Sequence, residues 1–114
     1  MRGKKIISTA KLKSEFWVQA YKKLLENKGV PIYLVKKGEE EAGAIIIKVS
    51  NLNGAARLYV RVTGSDYKFK WELIDEDSEP KIDNRVEKQV TMDPDCWVLE
   101  IEEKTFKHYL VQFI

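Results

Sequence analysis

Apolar residues recur at helical spacing over roughly residues 9 to 28. Phe16, Trp17, Ala20, Tyr21, Leu24 and Leu25 form one stripe, and Lys13, Gln19, Lys22, Lys23 and Glu26 lie away from it. Ser8, Thr9 or Ser14 can cap the start. Gly29 suits the position after the last turn, and Pro31 prevents continuation. The pattern then changes period. Ile32-Tyr33-Leu34-Val35 is apolar on both faces, and residues 37–41 form a charged turn. Residues 43–49 are rich in β-branched side chains, as a central strand requires.

Asn53-Gly54 is a hairpin-turn signal. Beyond it, Leu58, Val60 and Val62 alternate with Arg57, Tyr59 and Arg61. A turn at Gly64-Ser65-Asp66 leads to a second alternation, with Tyr67, Phe69, Trp71 and Leu73 on one side and Lys68, Lys70 and Glu72 on the other. The acidic stretch 75–79 reads as a loop. Pro80 to about Thr91 reads as a short helix with Ile82, Val86 and Val90 as its stripe, Ser78 as cap and Pro80 in the first turn. Asp93-Pro94-Asp95 ends it. Residues 96–102 form a strand with Trp97, Leu99 and Ile101 facing in. In the tail from Phe106 to Ile114, Phe106, Tyr109, Leu110 and Phe113 fit a helix and Tyr109, Val111 and Phe113 fit a strand; a strand after a turn at Lys104-Thr105 is favoured.

Short sequential connections favour antiparallel pairing. The expected fold class is α+β: one domain over residues 1–114, an antiparallel sheet of five to six strands, and both helices packed on one of its faces. Residues 1–10 are expected to be a flexible N-terminal extension.

Composition narrows the function. The single cysteine, Cys96, cannot form an internal disulfide, which fits a reducing compartment. The basic start carries too short an apolar run for a signal-peptide core, and Ala44-Ile45-Ile46-Ile47 is far below the ~20 residues of a membrane span. A cytoplasmic protein without membrane association is expected. The net charge of +2 conceals a split: residues 1–74 carry a net +8 and residues 75–114 a net −6.

With one histidine, His108, and one cysteine, the chain lacks most catalytic sets. It has no CxxC, no HExxH, no glycine-rich phosphate loop and no GxSxG elbow. No cofactor is expected, and the chain reads as a binding protein rather than an enzyme.

Three stretches carry a family resemblance: residues 13–21 (Lys-Ser-Glu-Phe-Trp-Val-Gln-Ala-Tyr), Gly43 to Val49 with Gly54 to Tyr59, and Asp93-Pro-Asp-Cys-Trp-Val-Leu-Glu-Ile-Glu102. In this order and spacing the chain resembles a family of small alphaproteobacterial proteins, domain of unknown function 1491, over most of residues 12–103. The resemblance implies no activity and no catalytic residue.

Two residue sets could carry chemistry. If residues 63–66 form the hairpin turn, Arg61 faces Lys68, Tyr59 faces Lys70 and Arg57 faces Glu72, with Lys48 beside Arg57. Basic side chains around a tyrosine on a sheet are the chemistry of a nucleic-acid platform, phosphates on the cations and a base on the ring. The plain alternative is a solvated, charged face. Asp93 and Asp95, with Glu100 and Glu102 and a returning His108, could hold Mg²⁺ or Mn²⁺ for a metal-dependent nuclease. Against this, Asp-Pro-Asp is a helix stop and alternating glutamates are an ordinary solvated strand face. Cys96 as nucleophile would need His108 beside it. The leading expectation is a non-catalytic interaction module for a protein partner or a second copy of the chain, ahead of RNA or DNA binding and of a metal nuclease.

Overall fold

A computed structural model describes residues 13–63 and 69–110. The order is α1 (Ser14–Asn27), β1 (Ile32–Lys36), β2 (Ile45–Ser50), β3 (Ala55–Thr63), β4 (Phe69–Ser78), α2 (Glu79–Met92) and β5 (Trp97–Glu102). The expected N-terminal extension at 1–10, the Gly64-Ser65-Asp66 turn and residues 111–114 lie outside the described residues.

The helices form where the periodicity places them. In α1, Trp17, Val18, Tyr21 and Leu25 are buried, while Phe16 and Ala20 point outward. The stripe is therefore rotated by about one residue from the expected one. Gly29, at φ 75°, ends the helix: its N–H donates to the Glu26 carbonyl and the Val30 N–H to the Leu25 carbonyl. This closure satisfies two terminal carbonyls, and only glycine adopts the left-handed turn without steric cost.

The sheet order is β1-β5-β2-β3-β4. β2, β3 and β4 form the expected meander, but β5 inserts between β1 and β2 and runs parallel to β2. β2 is buried along its whole length and β5 along most of it, as strands at the centre of a sheet covered on both faces are. Because β5 separates β1 from β2, the connection at 37–44 must pass over the start of β5. Glu39 N–H donates to the Asp95 carbonyl at 2.9 Å, and the Trp97 indole N–H to the Glu39 carbonyl at 2.8 Å.

Two corrections concern the second half. Residues 75–78 continue β4 rather than forming a loop, and Glu79 opens α2 directly. The two helices lie on opposite faces. One core layer joins Trp17, Tyr21 and Leu25 of α1 to Ile47, Val49, Leu99 and Ile101. The other joins Ile82 of α2 to Ile46, Leu58, Cys96 and Val98. The parallel β5 explains this. α2 is the crossover from β4 to β5 and must lie across β3 and β2, leaving the opposite face to α1. The turn at Lys104-Thr105 is present as expected, but residues 106–110 join neither a strand nor an α-helix, and Phe106, Tyr109 and Leu110 pack on the α1-side core.

Candidate functional site

Strand alternation and register decide what the basic residues can do together. Arg61 pairs with Trp71, Tyr59 with Leu73 and Arg57 with Glu76, while Val62 pairs with Lys70. The expected register is shifted, and a bulge at Leu58/Tyr59 shifts it again. Residues paired across a ladder share a face. Arg57, Tyr59 and Arg61 therefore belong to the α1 face, and Lys48 and Lys70 to the α2 face. The expected six-residue platform does not exist as one surface. Lys68 lies outside the described residues.

Lys48 sits on a central strand under α2, its side chain only 5% exposed. Its ammonium is 2.8 Å from Glu79 and 3.5 Å from Glu100 and also contacts Asp83. Burial alone lowers a lysine pKa. Here the hydrogen bonds to Asp83 and Glu79 and the charge of Glu100 outweigh it, and the ammonium is held above its ordinary value. The Lys48 hydrogen bond in turn holds the Glu79 carboxyl below the usual range, and the Ser50 hydroxyl assists. This is an internal tie between sheet and helix with its charge already spent.

On the α1 face, Tyr59 is buried in the core. Its ring meets His108 edge-on with centroids 4.6 Å apart. Arg57 donates to Glu76 at 3.0 Å and lies over the Phe106 ring at 4.2 Å. Arg61 lies over Phe69 at 4.0 Å and near Trp17 at 5.8 Å. Trp17 in turn stacks on Tyr21 and tilts against Trp71, 5.1 Å away. Burial pulls the Arg61 guanidinium below its ordinary pKa.

The acidic set does not converge. Glu100 is committed to Lys48, and Glu102 accepts from the Tyr33 hydroxyl at 3.2 Å. The Asp93 carboxylate accepts from the Asp95 N–H within the helix-stop loop. Among the described residues no group of His, Cys, Asp and Glu is placed to hold a metal. Cys96 is buried in the α2-side layer, and burial and Asp93 push its thiol pKa up. His108 packs against Tyr59 on the other face, so the two cannot act as a pair.

Sequence reasoning missed the β1 edge. Its apolar run reads as a buried strand, yet Tyr33, Leu34 and Val35 are 50%, 44% and 57% exposed. Nothing local distinguishes an apolar strand at the centre from one at the edge. The opposite edge, β4, carries Lys70, Glu72, Asp75, Glu76 and Asp77, charges that oppose strand addition. The only charge on β1 is Lys36, whose ammonium donates to the carbonyls of Lys37, Pro94 and Cys96 of its own chain.

No helix among the described residues is long and apolar enough to cross a membrane. The family model described as "Protein of unknown function (DUF1491)" matches residues 12–111. The crystal structure of a DUF1491 family protein from Caulobacter crescentus CB15 superposes with a TM-score of 0.79 at 34% identity, covering 87% of this chain and 94% of that one. An NMR structure of a DUF1491 family protein from the same organism gives 0.77 at 33%, covering 88% and 93%. The solution structure of a protein from A. tumefaciens gives 0.67 at 29%, covering 81% and 86%. No curated protein matches the chain.

Proposed function

The chain belongs to the DUF1491 family, whose description states no activity, and from that premise we propose that it works by binding rather than by catalysis, with the β1 edge as its contact surface. The observation that carries this is the asymmetry of the sheet. One edge is guarded by charge, and the other presents Tyr33, Leu34 and Val35. Among the described residues β1 pairs on one side only, with β5, and an exposed apolar edge is a template for another strand.

The strand's own sequence fits a second copy of the chain. Antiparallel pairing about a two-fold axis at Leu34 sets Tyr33 opposite the second copy's Val35, an aromatic with a β-branched residue, which is a favourable cross-strand pair. It sets Leu34 against its own equivalent and opposes no like charges. A strand of five residues buries less than the ~800 Å² per partner of a standard interface, so the association is weak and reversible.

Sedimentation velocity over a concentration series tests this. The wild-type chain is expected to self-associate as concentration rises. Leu34→Lys, which puts two ammonium groups face to face, is expected to remain monomeric with an unchanged fold. A wild-type chain that stays monomeric throughout, or a Leu34→Lys variant that associates equally, overturns the reading.

A further inference from the structure

Arg61 is the one cation on the α1 face of the hairpin with no charge or hydrogen-bond partner among the described residues. The residue is half-buried, and its guanidinium lies 4.0 Å from the Phe69 ring centroid and 5.8 Å from that of Trp17. Ring stacking uses the face of the guanidinium and leaves its five in-plane N–H donors unspent. Donors drawn out of water normally find a partner, and these remain available to one.

Among the described residues, Glu76 and Glu15 are engaged elsewhere. Glu76 holds Arg57, about 13 Å from Arg61 along the strand at ~3.3 Å per residue. Glu15 of α1 holds Lys37 at 3.6 Å. Among the described residues, the neighbours that share this face on β4 are apolar. Phe69 and Trp71 are partly exposed on β4, Leu73 is 48% exposed beside them, and Phe16 is 52% exposed next to Trp17.

We propose that this surface binds single-stranded nucleic acid. A phosphodiester takes the Arg61 fork, and a base lies against the Phe69–Trp71–Leu73 surface. Two features favour a nucleic acid over an acidic peptide. A bidentate fork matches phosphate oxygens, and the apolar collar offers a stacking partner that any base can use. Arg57, further along β3, supplies a second cation by exchanging Glu76 for a phosphate. The site is separate from the β1 edge, and neither reading depends on the other.

The test is fluorescence anisotropy with fluorescein-labelled oligouridine and its single-stranded DNA counterpart across a salt titration. Duplex DNA and a labelled polyglutamate peptide serve as comparison probes. Arg61→Met keeps the stack on Phe69 and removes the fork. It is expected to weaken single-strand binding by about tenfold or more and to lower the slope of log K against log salt by about one. Arg61→Lys keeps the charge and is expected to fall between. Lys104→Gln, an exposed charge elsewhere, is expected to change neither quantity. Binding of single strands is also expected to quench tryptophan emission from Trp17 and Trp71.

A merely structural Arg61 behaves differently: Arg61→Met then lowers the melting temperature and leaves affinity unchanged. That outcome overturns the proposal. So does a wild-type chain that binds no single strand, or one that binds only the polyglutamate.

Discussion

Replacing Lys48 probes the energetics of this fold most directly. Its ammonium, nearly sealed from solvent, ties β2 to the first two turns of α2 through Glu79 and Asp83 and to β5 through Glu100. Removing one partner of a buried ion pair costs about 3–5 kcal/mol, because the remaining charge loses its compensation. The carboxylates here keep 30%, 54% and 26% of their side-chain exposure. They can rehydrate, so Lys48→Ala is expected near the low end, about 3 kcal/mol, including the buried aliphatic stem it deletes. Lys48→Met keeps the stem and removes the desolvated ammonium, and is expected to cost about 1 kcal/mol.

Urea unfolding followed by tryptophan emission measures both, with unchanged m-values as the check on two-state behaviour. The pH dependence carries the sign. Glu79 has a lowered carboxyl pKa, so its contribution is present above the ordinary carboxylate range and is lost as pH falls through its folded value. Lys48 has a raised pKa, so its contribution is present below the ordinary lysine value and is lost as pH rises through its folded value. The gap between wild type and Lys48→Met is therefore flat near neutrality and closes at both extremes. A Lys48→Ala loss below about 1 kcal/mol, or a gap that persists in acid, would refute the assigned tie.

Other expectations are narrower. His108 is held below its ordinary pKa by burial and then by the Arg57 charge, and its Nδ1 accepts from the Leu110 N–H at 3.0 Å. It is neutral in the fold and takes up a proton on unfolding, so stability should fall as pH drops below about 6.5; His108→Gln should flatten that slope in urea unfolding. At Gly38 an added Cβ would lie 2.4 Å from the Asp95 carbonyl oxygen and 2.6 Å from the Trp97 ring. Gly38→Ala is expected to cost about 1–3 kcal/mol and to shift Trp97 emission, whereas an unchanged midpoint and spectrum would mean the close approach is relieved freely.

Local rules reached far in the elements themselves. The stripe Ile82, Val86, Val90 located α2, and the alternation Trp97, Leu99, Ile101 located β5 and its inward face. Gly29 marked the end of α1 because its left-handed conformation is a local property of one residue. The rotation of the α1 stripe shows the limit. Phe16 and Val18 are both apolar and lie on either side of Trp17, and only the sheet beneath decides which is buried. The basic platform was lost to the hairpin register, because a shift of an odd number of residues moves a side chain to the other face.

What the chain determined by itself is therefore what depends on neighbours a few residues away: helical and strand periods, turn chemistry, the absence of a catalytic inventory and the uneven distribution of charge. Tertiary structure alone decided what depends on contacts between distant segments. Whether β1 lies at the edge depended on β5, some sixty residues later, pairing with both β1 and β2. Whether a lysine is a ligand site or an internal tie depended on which helix crossed above it. Lys48 met Glu79 and Asp83 and is spent, while Arg61 met aromatic rings and has no charge or hydrogen-bond partner among the described residues. Both are basic residues on β-strands of one hairpin system. The difference arises because pairing register and crossover topology, not local sequence, set which groups share a face and how much water reaches them.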